Sequence, residues 1–233
     1  MEHVVDAITY FIVFLFSTTL HEAAHAWAAL RGGDKTAYHG GQVSLDPRPH
    51  IRREPFGMVI LPLVSALATG WPMGYASAPY DPNWARTHPR RAALMALAGP
   101  GANLLLVVLA ALALRAGESA GIFLAPERIH FGFVASSNAS ATWEAVSGLL
   151  SVIFSLNLLL FVFNLLPFFP LDGSAAITLL MSRDTTKRYQ EFLWSTPMLG
   201  WIGLLIAWKL FDFLFQPVFT AAVSLIYPGV TYG

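Results

Sequence analysis

The chain contains no cysteine, which excludes disulfides and thiolate metal sites. Only 12% of its residues are charged, about half the fraction usual in a soluble domain, while 55% are hydrophobic and mean hydropathy is +0.56. Such a chain is not a soluble globule. Basic and acidic residues balance at 14 each, so no basic surface points to nucleic acid. Met1 to Asp6 lack a basic n-region and a small-residue cleavage site, so a retained first span is expected rather than a removed signal peptide. Internal repeats and low-complexity tracts are also missing, and residues 1–233 read as one domain.

Long apolar runs are what the chain has instead. They cover 4–30, 92–115, 146–166 with a continuation to 182 beyond a proline break, and 197–226. The length allows about five spans of roughly 20 residues with short loops. Arg31, Lys35, Arg48, Arg52 and Arg53 follow the first run, Arg86, Arg90 and Arg91 precede the second, and Arg183, Lys187 and Arg188 follow the third. By the positive-inside rule these flanks are cytoplasmic, while 115–146 has no basic excess and reads as the outer side. The expectation is therefore a multi-pass protein of the cytoplasmic membrane. Phe56 to Gly70 is short for a span and bounded by basic flanks, so it reads as re-entrant; a full span returning through Trp71 to Pro82 is the alternative. Tyr38 to Leu45 has the alternation and glycines of a short strand or hairpin, with a turn at Asp46-Pro47. The fold class expected is an all-α polytopic membrane protein with a β-hairpin and re-entrant region over 31–91.

The chemistry starts at His21-Glu22-Ala23-Ala24-His25, inside the first apolar run. His-Glu-x-x-His on a helix puts two imidazoles on one face at the spacing that grips one zinc ion, with the glutamate placed to act on water at the metal. Shuffled chains of this composition would carry the pattern in roughly 0.6% of cases. Ionisable groups are costly in a bilayer, so their placement there needs a functional reason. The bland reading, a pair of hydrogen-bonded core histidines, does not explain Glu22. A structural glutamate in lipid would have to be neutral or paired, and no cationic residue lies within a helical turn of it.

A catalytic zinc takes about three protein ligands and keeps one position open. Asp172 is the candidate third ligand, at a helix break after Pro167-Phe168-Phe169-Pro170 and at the same depth as His21 and His25 by the topology above. An N-cap for the helix opening at Gly173 is the other use of that aspartate. Asn103, Asn157 and Asn164 are polar residues within spans, which motivates a role without choosing it; Asn164 could satisfy carbonyls freed by Pro167, and Asn157 suits interhelical hydrogen bonding. His39 and His50 lie in the cytoplasmic loop, where hydrogen bonding is the ordinary use. The Gly40 to Ser44 segment could offer an edge strand to an unwound substrate. Asn138-Ala139-Ser140 fits the glycosylation pattern, and a chance match is the simpler reading.

His21-Glu22-Ala23-Ala24-His25, Ala98 to Asn103 and Asn164 to Gly173 together resemble the site-2 protease family, in order and approximate separation. The resemblance covers most of residues 10–182, and the 115–146 loop is too short for a PDZ domain, as in the family's compact branch. What the resemblance implies is a three-helix catalytic core, one zinc ion held by His21, His25 and Asp172, and Glu22 as catalytic acid and base. It further implies that Asn103 and Asn164 stabilise the oxyanion or hold substrate backbone. The activity expected is zinc-dependent hydrolysis of peptide bonds in or near transmembrane segments of other membrane proteins, on the cytoplasmic side. A silent scaffold of the same fold is the rival, and four intact site residues argue against it. A zinc carrier would be expected to show paired sites or His-rich loops. Oligomeric state is not legible.

Overall fold

Apolar residues run without a breaker from Val4 to Leu30, and the helix they form, α1 (Glu2–Gly32), stops where two glycines follow Arg31. Gly33 takes φ +100, and the N–H groups of Gly33 and Asp34 fold back on the carbonyls of Leu30 and Ala29, closing α1 with a Schellman cap. The computed structural model describes residues 2–230 and 232. Two short helices follow, α2 (Thr36–His39) and α3 (Pro47–Arg53). Asp46 caps α3 by accepting the Arg48 N–H, with Pro47 at the first helical position.

A π-helical turn at Phe56–Ile60 leads into α4 (Leu61–Thr69). This apolar rod rises about 20 Å, short of the roughly 30 Å hydrocarbon layer. The chain returns over 72–81 without regular secondary structure, and the Tyr75 N–H donates to the Gly57 carbonyl, so the excursion ends beside its own start. Asp81 caps α5 (Pro82–Thr87), and α6 (Pro89–Ser119) begins two residues later. The Gly99-Pro100-Gly101 sequence does not break α6; Pro100 forfeits one intrahelical bond and is buried among its neighbours. Ser140 opens α7 (Ala141–Asn164) by accepting the Trp143 N–H, so the serine of the Asn-Ala-Ser triplet is a helix cap. After the proline turn come α8 (Asp172–Ala176) with a 3-10 extension to Leu180, then α9 (Arg183–Ser195) and α10 (Met198–Ile226).

Four of these helices, α1, α6, α7 and α10, are long and apolar enough to cross a membrane. Three of them, α1, α6 and α7, pack against one another pairwise. The largest core cluster joins Val107, Ala110 and Leu114 of α6, Phe154 and Leu158 of α7, and Phe215, Phe219 and Val223 of α10. Arg91 donates to the Gly32 carbonyl, which fixes the C-terminal end of α1 beside the N-terminal end of α6.

The expected strand or hairpin at Tyr38 to Leu45 is not formed. Among the described residues there is no sheet, only isolated bridges at Leu124–Ser136 and His130–Phe133. The segment satisfies itself locally instead. Gln42 N–H closes a turn on the Ala37 carbonyl, the Ser44 hydroxyl accepts the Asp46 N–H, and buried His50 bonds the Ser44 carbonyl through Nε2. An eight-residue segment with no neighbouring strand has nothing to pair with, so local bonds win.

Candidate metal centre

On α1, a spacing of four residues brings His21 and His25 onto one face, with ring centroids 4.6 Å apart and edge to face. Both rings are buried, and their Nε2 atoms stand 2.9 Å apart. Asp172 reaches the same point from α8, with Oδ2 3.1 Å from His21 Nε2 and 3.3 Å from His25 Nε2. Leu171, not Asp172, is the N-cap of α8, and the helix start has no side-chain cap bond. The carboxylate is aimed at the two imidazoles instead.

These three atoms form a triangle with edges of 2.9, 3.1 and 3.3 Å. Tetrahedral zinc with bonds of about 2.0–2.1 Å needs ligand–ligand edges of roughly 3.3 Å, so the triangle is close to the size one ion would span. Two nitrogens and a carboxylate oxygen are also the donor set catalytic zinc takes. Glu22 lies beside them, 5% exposed, and its Oε2 has no hydrogen-bond partner. A ligand atom of Glu22 falls within 4.8 Å of those of both histidines. A buried carboxylate oxygen left unpaired is costly, and a metal site with its water is a physical reason for it.

Outer hydrogen bonds fix which nitrogen of each ring faces the triangle. His25 Nδ1 lies 2.7 Å from the Met95 carbonyl, which can only accept, so Nδ1 carries the proton and Nε2 presents its lone pair. His21 Nδ1 lies 2.6 Å from Asn103 Oδ1. The Asn103 amide nitrogen donates to Asn157 Oδ1, whose own amide nitrogen donates to the Ser17 hydroxyl and the Ile153 carbonyl. Each amide in this chain has its oxygen and nitrogen assigned by its neighbours, so Asn103 offers His21 an acceptor and sets the same tautomer. Ser17, Asn103 and Asn157 are fully buried and tie α1, α6 and α7 together through one polar thread. Gly99 on α6 sits directly over the rings; a Cβ there would overlap Nε2 of both histidines. Only glycine lets α6 approach this closely.

A cavity of about 900 Å³ opens onto the triangle. Thr18, His21, Glu22, His25, Asn164 and Asp172 line its polar floor. Residues of the segment from Gly74 to Tyr80 and the α9 residues Tyr189 and Trp194 form part of its apolar wall. The structure thus brings His21, Glu22, His25 and Asp172 to one point. Asn164 lines the cavity and donates to the Leu160 carbonyl within its own helix. Asn103 is buried behind His21 rather than among the residues lining the cavity. Sequence reasoning did not find the Met95 carbonyl or the link through Ser17. A backbone carbonyl carries no side-chain signal, and a serine in an apolar helix is common.

The family model described as "Peptidase family M50" matches residues 9–204. YwhC of Bacillus subtilis (strain 168), which carries the provisional name of a zinc metalloprotease, is 28% identical over 228 residues, 89% of this chain and 92% of that protein. Rip2 of Mycobacterium tuberculosis (strain ATCC 35801 / TMC 107 / Erdman), likewise provisionally named a zinc metalloprotease, is 31% identical over 210 residues, 85% of this chain and 71% of that protein. No solved structure matches the chain at a significant level.

Proposed function

The chain belongs to peptidase family M50 and is a multi-pass membrane metalloprotease, and from that premise we propose its substrate, its stoichiometry and its orientation. It hydrolyses peptide bonds in or beside transmembrane segments of other membrane proteins, using one zinc ion per chain held by His21, His25 and Asp172. The observation that carries this reading is the ligand triangle, formed by residues of a spanning helix and a helix break and opening on a large, mainly apolar cavity.

Held by His21, His25 and Asp172, zinc would supply a Lewis acid and an acidified water. Glu22 is placed as the catalytic base and acid, holding a proton on its carboxylate and passing it to the leaving amine. Its unpaired Oε2 is free for that traffic, since no protein donor competes for it. Met95 and Asn103 hold the imidazoles still while this happens. Asn164, on the cavity floor, is the group placed to meet substrate backbone or a developing oxyanion. Asn103 serves as a positioning residue for His21.

A helical substrate hides its carbonyls and must be extended before it is cut. The strip from Gly74 to Tyr80 is suited to holding it. On one edge, Tyr75 N–H donates to Gly57 and the Ser77 carbonyl accepts from Gln42. On the other side, Ala76 and Ala78 make no backbone hydrogen bond among the described residues. Residues two apart share an edge, so an extended substrate can add there as a strand.

The cut falls towards the cytoplasmic side. The ends of α1 and α6 that meet at Arg91 and Gly32 carry Arg31 and Arg90 as well, and Arg86 of α5 stacks on Trp194 of α9. The test is quantitative membrane proteomics in the native host, comparing wild type with Glu22→Gln. Full-length or pre-trimmed membrane proteins should accumulate in the variant. Identical membrane proteomes under several stresses would overturn the substrate assignment.

A further inference from the structure

Of the four spanning helices, α10 is the least buried. Its inner ridge, Gly203, Ala207, Phe211, Phe215 and Phe219, packs on the proline turn and on α6 and α7. At 100° per residue, Trp201, Leu205, Lys209, Asp212 and Gln216 fall in one arc of about 80°, on the side opposite Gly203 and Ala207. All five are exposed. Among the described residues, Lys209, Asp212 and Gln216 make no side-chain hydrogen bond or ion pair. Lys209 stands about 16 Å along the axis from the start of α10, and Asp212 about 21 Å from its end. When α10 spans the bilayer, both charges therefore lie in mid-membrane on the side facing lipid. Charges at that depth are costly unless something pairs with them.

We propose that this face of α10 docks the transmembrane helix of the substrate, and that such helices carry complementary polar groups at mid-membrane. A carboxylate faces Lys209, and a cation or amide donor faces Asp212 about 4.5 Å further along the axis. The proposal rests on the reading of the chain as a protease of membrane proteins. One feature favours substrate over other occupants: the stripe begins at Trp201, which with Leu204 lines the catalytic cavity, so a helix laid along it delivers one end to the ligand triangle.

The chain has no cysteine, so Leu205→Cys introduces a single thiol on this face. The zinc-loaded Glu22→Gln, Leu205→Cys protein is reconstituted in phosphatidylethanolamine and phosphatidylglycerol vesicles with a synthetic leucine–alanine spanning helix. One probe carries a central Asp, a Lys three residues later and one cysteine; its control replaces both charges with leucine. Oxidative cross-linking should favour the charged probe at least tenfold, and adding Lys209→Leu with Asp212→Leu should abolish that preference. Retained zinc in that variant shows that it is folded. Equal yields for the two probes, or chain-to-chain dimers through position 205 outcompeting the probe, would overturn the proposal. Cross-linking needs no cleavage, so an inactive wild-type chain with charge-dependent cross-linking intact would overturn the proteolytic reading alone.

Discussion

Replacing Asn103 by leucine removes the acceptor that fixes His21 while keeping the volume of a fully buried side chain. Two groups, the His21 ring and Asn157, lose a partner. His21 Nδ1–H faces a methyl group, Asn157 Oδ1 loses its donor, and the ring can turn or adopt the other tautomer. Outer-shell substitutions of this kind cost 10- to 100-fold in metal affinity, about 1.4–2.8 kcal/mol. Each buried polar group left unpaired adds about 1–3 kcal/mol of destabilisation. Asn103→Asp separates the two effects, since a carboxylate keeps an acceptor for His21 but cannot donate to Asn157. Zinc competition against a chromogenic chelator in detergent, paired with thermal unfolding of the metal-free protein, reads both. Asn103→Leu should bind zinc at least tenfold more weakly and melt lower; Asn103→Asp should hold zinc near the wild-type level while still melting lower. Zinc affinity of Asn103→Leu within twofold of wild type would refute the positioning role.

Other consequences follow from the same geometry. Gly99→Ala puts a methyl group into both Nε2 positions, so bound zinc by elemental analysis should fall below one-tenth of an ion per chain even if the helices still assemble. Ala78→Pro removes an N–H from the open edge of the Gly74 to Tyr80 strip; cleavage of a membrane substrate should drop at least tenfold with zinc retained, and unchanged cleavage would remove that edge from the account. Asp34, in the turn after α1, is pushed up by burial but held lower on balance by hydrogen bonds from the Thr36 side chain and N–H and the Asp81 N–H. Its folded pKa lies below its unfolded value, so its contribution is present above the unfolded pKa and lost as pH falls through the folded one. Asp34→Asn should cost about 1–3 kcal/mol near neutral pH and flatten the acid limb of the stability curve, measured by thermal unfolding from pH 6 to 3.

The centre was legible where its signal was local. His21, Glu22 and His25 lie within five residues on a helix whose apolar run identifies it as a span, so pattern and depth are read together. Asp172 is far away in sequence, yet charge bias alone put it at the depth of the histidines, and the structure brings its carboxylate to them. What was not legible depends on contacts between distant elements. Asn103 is a polar residue in a span from sequence alone; only the packing of α6 on α1 puts it behind His21, 82 positions away. The error at Tyr38 to Leu45 has the opposite origin. A short alternation with glycines suits a strand, but a strand needs a neighbour, and here turn and cap bonds consumed the same groups. The neighbouring segment 72–81, which lines the cavity from Gly74 on, carries Pro72 and Pro79 and has no periodic signal to read.

The most direct test of the central claim is zinc content together with cleavage of one membrane substrate by purified wild-type, His21→Ala and Glu22→Gln protein. One zinc ion per chain and cleavage are expected for wild type, loss of both in His21→Ala, and full zinc with cleavage reduced at least 100-fold in Glu22→Gln. Wild-type cleavage by Glu22→Gln, or undiminished zinc in His21→Ala, would contradict that claim.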